Sequence, residues 1–393
     1  MSSPNPLAKA KRVVLKLGSQ ILIDDDGQLS IDRLASFVRQ CVDLRREGRQ
    51  VMIVSSGAVA LGRRALGEYG KLALPEKQAC AAIGQSMLMN TYGHLFRHYE
   101  TLTAQVLLTN GDFSDRHSYL NVRRTIERLL QLDVVPIINE NDTVSSADFT
   151  KEFAEGGFSD NDTLSAHVAA ECEADALLIL SRVNGIYTDN PEQNPDAEII
   201  RYAPDFAALS RVQARGGSAH GRGGMASKLK AIKIAHEAGV ASAIGSGAEP
   251  DAIKRLVHFP GSVESFPGTL VPAAPNPKVA GRRRWIGQAG GVHGEVTINE
   301  GAKDALLKRN ACLLAVGITK VKGVFSPGQV VSVRDESGAE FARGISYFSS
   351  DELKQIQGHA SSRFPDLLGG EVEYDVVIRR ENLALTEKSP SKS

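Results

Sequence analysis

The chain has 393 residues, of which 42% are hydrophobic, and its 46 basic side chains equal its 46 acidic ones. A chain of this length is long for one hydrophobic core, so we expect two domains. The balanced charge argues against a protein whose main role is to coat nucleic acid or an anionic membrane, and it favours a small-molecule partner.

The four cysteines are scattered, without any C-x-x-C pair. This argues against a disulfide framework or a structural zinc site, and we assign no metal ligands. The segment through Arg12 lacks the apolar core of a secretion signal, and no run of about 18 apolar residues offers a membrane span. We therefore expect a soluble, cytoplasmic protein with no membrane partner.

Short apolar runs recur along the first two thirds of the chain. They are continuous rather than alternating, which is typical of parallel strands that helices cover on both faces. Longer segments with helical periodicity separate them, so the predicted fold class is α/β, a three-layer αβα sandwich with a mainly parallel sheet. The runs lie at 13–17, 51–54, 134–138, 176–180 and 240–244.

Polar residues and glycines follow each of these predicted strands. In such a sheet, ligands bind beyond the carboxyl ends of the strands, so we expect one shared crevice. The residues concerned are 18–19, 55–57, 139–142, 181 and 245–247.

Lys16 lies inside the first predicted strand, VVLKLGS. A strand that is buried on both faces normally excludes a charge, because desolvating an unpaired ammonium is costly. Lys16 should therefore face a ligand or a carboxylate. The alternative is an edge strand whose lysine reaches water.

The segment VSSGAVALG at 54–62 is typical of a strand end, a glycine turn and a helix start. The free backbone N–H groups of a helix start attract anions. Ser55, Ser56 and Gly57 could therefore hold phosphate or a substrate carboxylate. The alternative is that Ser56 only caps the helix.

Acidic and amide residues cluster in NEND at 139–142 and in DND at 160–162. One residue of the second group should cap the helix that follows, which leaves the others without a structural role. The spacing does not match a calcium-binding EF-hand loop. We interpret the cluster as polar anchors for an acceptor substrate.

A glycine-rich loop, GGSAHGRGGMASK at 216–228, leads into a predicted helix at 226–238. Its spacing matches neither the P-loop nor the dinucleotide fingerprint, but Gly223, Gly224 and Lys228 at a helix start can contact a triphosphate. Together with Lys16, the loop supplies the cations and the close backbone approach that phosphoryl transfer needs. A flexible surface loop is the alternative interpretation.

Prolines at 260, 267, 272, 275 and 277 predict a domain boundary. We expect a first domain at 1–265, a linker at 266–280, a small β-rich barrel at 281–380 and a frayed tail at 381–393. The basic residues beside Trp285 support RNA binding only weakly. The barrel should contain a helix at 302–309 and strands at 294–298, 329–333, 341–345 and 372–378.

The combination of VVLKLGS, VSSGAVALG, PIINENDTV, FSDNDTLSA and GRGGMASKL resembles the glutamate 5-kinases, a branch of the amino acid kinase family, over nearly the whole chain. The C-terminal part, with RRRWI and NEGA, is similar to the PUA domain of many bacterial members. The resemblance implies an amino acid kinase fold and ATP-dependent phosphorylation of the side-chain carboxylate of L-glutamate, the first step of proline biosynthesis.

The resemblance also implies residue roles. Lys16 and Lys228 would offset the repulsion between two anions, Asp162 would orient both ammonium groups, and Mg²⁺ would bridge the phosphates. Glutamate would be bound by Ser56, Gly57, Asn139, Asp142, Asp160 and Asn161. ATP would be bound by Lys16, Gly18, Ser181, Arg182, Gly223, Gly224, Met225 and Lys228.

The same resemblance implies inhibition by L-proline and transfer of the labile acyl phosphate to glutamate-5-semialdehyde dehydrogenase. We also expect a homo-oligomer. The chain departs from the family pattern in three places. In the nucleotide-binding segment, Ser181 is followed by Arg182 where an aspartate is common, and Asn184 replaces a usual aspartate. Arg222 stands where a threonine is usual, and the segment 146–157 is longer and more acidic than expected. Two alternatives stay open. One is a kinase of this fold that acts on a different acid, and the other is an RNA-binding protein that acts through the PUA-like domain.

Overall fold

The computed structural model describes residues 5–24, 26–67, 70, 72–114, 116–144, 160–189, 191, 193–204, 206, 209, 224–274, 292–309, 311–370, 372 and 374–386. These residues form two compact units. The larger unit holds most of the described residues up to 274, and the smaller unit holds 110–120 together with those from 292 onward. The domain limits given above stay a prediction.

The larger unit is built on a seven-stranded sheet. Its strands are β1 (Arg12–Leu17), β2 (Gln50–Ser55), β3 (Thr103–Leu108), β4 (Val135–Glu140), β5 (Ala176–Ser181), β6 (Ala241–Ser246) and β7 (Thr269–Val271). Their order across the sheet is β3-β4-β2-β1-β5-β6-β7. All neighbours run parallel except β6 and β7. The mainly parallel sheet is therefore confirmed.

Nine helices are described in the chain up to residue 274. In chain order they are α1 (Ser19–Leu22), α2 (Ile31–Arg46), α3 (Ala58–Ala65), α4 (Leu74–Arg97), α5 (Asn110–Ser114), α6 (Arg116–Gln131), α7 (Asn161–Glu171), α8 (Met225–Glu237) and α9 (Ala252–Val257). The helix predicted at 226–238 is α8, which begins at Met225.

The central strand β1 is covered on both faces, because its side chains alternate in direction. Val13 and Leu15 belong to the core that also contains Leu34 of α2 and Ile253 of α9. On the opposite face, Lys16 reaches Asp162 on α7. The predicted three layers follow from this arrangement, and the alternative of an edge strand at Lys16 is wrong.

Helices α3 and α4 approach each other closely at two glycines. A Cβ atom on Gly84 would lie 1.7 Å from the Ala58 carbonyl oxygen, and one on Gly62 would lie 1.8 Å from the Cys80 carbonyl oxygen. Because only glycine fits at either position, this contact fixes the start of α3. Gly57 precedes α3 with a φ of 110°, which favours glycine.

The smaller unit contains strands β8 (Gly294–Ile298), β9 (Ile318–Gly323), β10 (Val330–Arg334), β11 (Glu340–Ile345) and β12 (Leu383–Leu385). Its helices are α10 (Glu300–Lys308), α11 (Ser350–Ile356) and α12 (Phe364–Leu368). The sheet order is β12-β11-β10-β8-β9, with β8 and β10 parallel and the other neighbours antiparallel. Val296, Val331, Phe364 and Leu383 contribute to its core.

Two features of this unit differ from the sequence-based expectations. The strand predicted at 372–378 is wrong for its described residues. Only Ile378 pairs, in an isolated bridge with Leu313, while Tyr374 stacks on Tyr347 with ring centroids 4.3 Å apart. Val377 and Ile378 are buried in the core of this unit, so packing without a strand ladder accounts for the apolar residues there. In addition, β12 pairs with β11 where the sequence predicted a frayed tail.

Candidate active site

The structure brings two lysines together on one carboxylate. Lys16 Nζ lies 2.6 Å from Asp162 Oδ1, and Lys228 Nζ lies 3.0 Å from Asp162 Oδ2. Lys16, Asp162 and Lys228 are exposed by only 7%, 3% and 8%. They come from β1, α7 and α8, so the sheet and two helix starts converge at this point. We call these three residues the Lys–Asp–Lys cluster.

The charges of this cluster depend on one another. Burial opposes ionisation of Asp162, but the two ammonium groups outweigh it and hold the pKa of its carboxyl below the usual value. Burial lowers the pKa of Lys16, and the attraction of Asp162 limits this effect. With all three groups ionised, the cluster carries one net positive charge. In the protein interior such a charge attracts an anion more strongly than in water.

Backbone and glycine groups surround the cluster. Lys228 Nζ also donates to the Gly224 carbonyl oxygen at 3.0 Å, and Ser227 Oγ donates to Asp162 Oδ2 at 2.9 Å. A Cβ atom on Gly18 would lie 3.2 Å from Lys16 Nζ. A side chain at position 18 would therefore press on the ammonium group, and its absence leaves Lys16 open to an anion.

Side-chain amides form a chain beside the cluster. Asn161 Nδ2 donates to Asn139 Oδ1 and to Ser56 Oγ, both at 2.9 Å. Asn139 Nδ2 donates to Gln85 Oε1 at 2.9 Å. Because Asn161 directly precedes Asp162, this amide chain (Ser56, Asn161, Asn139 and Gln85) begins next to the two lysines. Ser56 directly follows β2, and the other three residues lie on α7, β4 and α4, at the carboxyl edge of the sheet.

The structure shows which residues cap helices α7 and α3, which the sequence left open. Asp160 is the residue that caps α7, since its Oδ1 accepts from the Thr163 N–H at 2.9 Å. Gly57, not Ser56, is the N-cap of α3. Ser56 therefore has its hydroxyl in the amide chain rather than at a cap.

Other predicted site residues lie around this centre. Asp142 is half-buried beyond β4, and burial raises the pKa of its carboxyl. A cationic partner would oppose this shift by stabilising the carboxylate. Ser181 ends β5, and its carbonyl oxygen accepts from the Gly247 N–H at 2.8 Å. The exposed Arg182 donates through Nε to the Gln20 carbonyl oxygen at 3.2 Å. Met225 begins α8.

Some predictions fall on residues outside the described ranges. These are Gly223, Arg222 and the segment 146–157. Sequence reasoning, in turn, missed two contacts of the site. Ser227 precedes Lys228 in a quoted motif and could have been noticed. Gln85 lies in the middle of α4, in a segment without any charged residue from 78 to 93, and no motif marks it.

The described residues contain no group of three or more His, Cys, Asp or Glu side chains placed to hold a metal ion. None of the helices in the described ranges combines the length and the apolar character needed to span a bilayer.

Comparison with known proteins agrees with this geometry. Residues 11–245 match the model of the amino acid kinase family, and residues 294–368 match that of the PUA domain. A glutamate 5-kinase of Teredinibacter turnerae is 38% identical over 98% of this chain and 100% of its own length. One of Dictyoglomus thermophilum is 39% identical over 97% of this chain and 99% of its own.

A third relative, the glutamate 5-kinase of Acaryochloris marina, is 41% identical over 96% of this chain and 100% of its own length. These matches span both units. The chain therefore belongs to the amino acid kinase family and, within it, to the glutamate 5-kinases with a PUA domain.

Proposed function

We propose that this chain transfers the γ-phosphoryl group of ATP to the γ-carboxylate of L-glutamate. The product is L-glutamyl 5-phosphate, and the reaction is the first step of L-proline biosynthesis. One observation carries the proposal: a single buried carboxylate, Asp162, holds two ammonium groups within 3.0 Å, next to a chain of side-chain amides. The family membership given above supports the same reaction.

The reaction needs charge compensation rather than proton removal. A glutamate side chain, with a pKa of about 4.3, is already ionised at neutral pH. Its oxygen forms a bond to the γ-phosphorus, while the bond from that phosphorus to the oxygen of ADP breaks. Lys16 and Lys228 hold the phosphoryl oxygens and the leaving oxygen, and Asp162 keeps both ammonium groups in place.

ATP fits the side of the cluster where the glycines lie. Gly18 and Gly224 let the phosphates approach the backbone, and the start of α8 at Met225 offers N–H groups to an anion. Ser181 and Arg182 at the end of β5 lie toward the nucleoside. We infer that Mg²⁺ would arrive with ATP and would offset the charge of its phosphates, because both oxygens of Asp162 already contact ammonium groups.

Glutamate fits the amide side. Asn161, Asn139, Ser56 and the turn at Gly57 provide neutral donors and acceptors, while the desolvated Asp142 suits the α-ammonium group. Asp160 Oδ1 serves the helix cap, and we expect the same carboxylate to contribute to glutamate binding.

The proposal is tested by comparing acceptors. ADP release is measured with L-glutamate, L-aspartate, N-acetyl-L-glutamate and UMP, in the presence of hydroxylamine, which converts an acyl phosphate into a stable hydroxamate. We expect ADP and hydroxamate in equal amounts with glutamate only. Turnover with another acceptor and none with glutamate would show a different kinase of the same fold.

Several further properties stay predictions. They are inhibition by proline, transfer of the acyl phosphate to a dehydrogenase, and assembly into a homo-oligomer. A cytoplasmic location is also a prediction, which the four free cysteines support.

A further inference from the structure

The side chain of Gln85 has a feature that its contacts do not explain. Gln85 lies on α4 and is only 6% exposed. Its Oε1 accepts from Asn139 Nδ2, but its Nε2 is buried and has no hydrogen-bond partner among the described residues. Asn161 Oδ1 is likewise buried and without a partner in the described part of the chain. The amide chain therefore leaves one donor, at its Gln85 end, and one acceptor, at Asn161, without a partner among the described residues.

The orientation of all three amides follows from a single backbone group. The Glu140 N–H donates to Asn139 Oδ1 at 2.9 Å, which places the oxygen of Asn139 on that side. Asn161 must then present its Nδ2 to this oxygen, and Gln85 must present its Oε1 to Asn139 Nδ2. The free donor at Gln85 and the free acceptor at Asn161 follow from this order.

A purely structural role for Gln85 does not account for the free donor. Leaving a buried donor unpaired costs more stability than the single hydrogen bond to Asn139 contributes. Buried polar groups of native proteins nearly always have partners. A ligand that accepts a hydrogen bond from Gln85 Nε2 satisfies this donor, and the α-carboxylate of an amino acid is such an acceptor.

We propose that Gln85 determines the amino-acid specificity of the site, with its Nε2 donating to the α-carboxylate of the acceptor. This proposal rests on the proposed function. The γ-carboxylate must meet the phosphoryl group at the Lys–Asp–Lys cluster, so the α end points away from it. Gln85 stands at the end of the amide chain opposite Asn161 and the cluster, which is where the α-carboxylate lies.

The sharpest test is Gln85→Glu, because it keeps the oxygen that Asn139 needs and replaces only the free NH₂ group. Glutamate is compared with 4-aminobutyrate, which has the acceptor carboxylate and the amine but no α-carboxylate. We expect the KM for glutamate to rise at least about thirtyfold, with kcat and the KM for ATP within about threefold. For 4-aminobutyrate, kcat/KM should change by less than about threefold, so that the preference for glutamate collapses.

Two further variants complete the design. Asn90→Asp makes the same change from amide to carboxylate at an exposed position of α4, and we expect wild-type constants. Gln85→Met introduces a neutral side chain of similar length. If a buried carboxyl at position 85 prevents folding of Gln85→Glu, this variant measures the loss of preference for glutamate over 4-aminobutyrate instead.

The two proposals fail in different ways. Turnover of glutamate by the wild-type chain tests the proposed function. The ratio of kcat/KM for glutamate to kcat/KM for 4-aminobutyrate, compared between the wild type and the variants, tests the role of Gln85 in specificity. If Gln85→Glu leaves the KM for glutamate within twofold, or weakens both substrates equally, the role of Gln85 in specificity is wrong.

Discussion

At the scale of single residues, Asp162 controls the charge of the site. Its carboxylate lies between two buried ammonium groups, and each oxygen contacts one of them. Without this carboxylate the two lysines would repel each other in a medium that screens charge weakly. The activity and the stability of the larger unit should therefore both depend on Asp162.

We predict that Asp162→Asn lowers kcat at least about 100-fold, because the two ammonium groups lose the group that positions them. It should also lower the free energy of unfolding by about 3–5 kcal/mol, since it leaves buried charges unpaired. Urea denaturation measures the second effect. Asp160→Asn is the control for stability, because asparagine caps a helix about as well as aspartate, and it should change unfolding little.

The pH profile of the same variant gives a further readout. Burial lowers the pKa of Lys16, and Asp162 opposes this shift. The wild-type rate should therefore fall on the alkaline side below the ordinary lysine pKa of about 10.4. In Asp162→Asn the fall should begin at a still lower pH. An alkaline limb that does not move would show that Lys16 is not coupled to Asp162.

At the scale of secondary-structure elements, the close packing of α3 on α4 is the most sensitive feature. It places Gly57 at one end of the contact and Gln85 beside Gly84 on the other helix. We predict that Gly84→Ala destabilises the protein by about 1–3 kcal/mol or more, since its Cβ would overlap the Ala58 carbonyl oxygen. It should also raise the KM for glutamate.

Gly93→Ala is the matched control on the same helix. A Cβ atom at Gly93 would meet nothing within 4 Å, and alanine is the better helix former by about 0.5–1 kcal/mol. This variant should be as stable as the wild type or more so. Equal effects at both glycines would contradict the close contact of α3 with α4.

Helix α7, which carries Asn161 and Asp162, also contains the buried His167. Burial, with a smaller contribution from Lys230, lowers the pKa of His167 to about 4. The unfolded chain then binds more protons between the unfolded pKa of about 6.5 and the folded one. The free energy of unfolding should therefore fall by about 3 kcal/mol as the pH drops from about 6.5 to about 4.

Denaturation at several pH values checks this expectation. In His167→Gln the fall in the free energy of unfolding between pH 6.5 and 4 that His167 causes should disappear. This holds whatever the substitution does to stability at pH 7. A His167→Gln profile parallel to that of the wild type between pH 6.5 and 4 would rule out titration of His167 as the cause.

At the scale of the whole molecule, the parallel sheet could be predicted because continuous apolar runs are typical of strands buried on both faces. The edge strand β3 was missed because most of its side chains are only partly buried. The three-residue β7 was missed because so short a strand leaves no pattern. Around 372–378 the apolar spacing was interpreted as a strand, but Val377 and Ile378 pack in the core without a strand ladder.

The site could be predicted only where chain position implies spatial position. Lys16 and Asn139 lie near the carboxyl ends of β1 and β4, and Asp162 lies in the first turn of α7. The carboxyl ends of parallel strands meet at one edge. Gln85 could not be predicted in this way, because it lies mid-helix. The sequence of α4 does not show which of its faces meets β4.

The balanced charge of the whole chain bears on the RNA-binding alternative. With 46 basic and 46 acidic side chains, we predict only nonspecific RNA affinity, with a Kd of about 10⁻⁴–10⁻⁶ M at physiological salt. Filter binding at two salt concentrations measures it. Much tighter binding that is lost on deletion of residues 281–393 would favour the alternative.

The central claim is that two ammonium groups, distant in the sequence, act together on one moving phosphoryl group. The most direct test is the steady-state kinetics of Lys228→Met with glutamate and ATP, with Lys233→Met, an exposed lysine of the same helix, as the control. We predict that Lys228→Met lowers kcat at least about 100-fold and changes the KM for glutamate less than about threefold, while the control keeps wild-type values. A wild-type kcat for Lys228→Met would contradict the account.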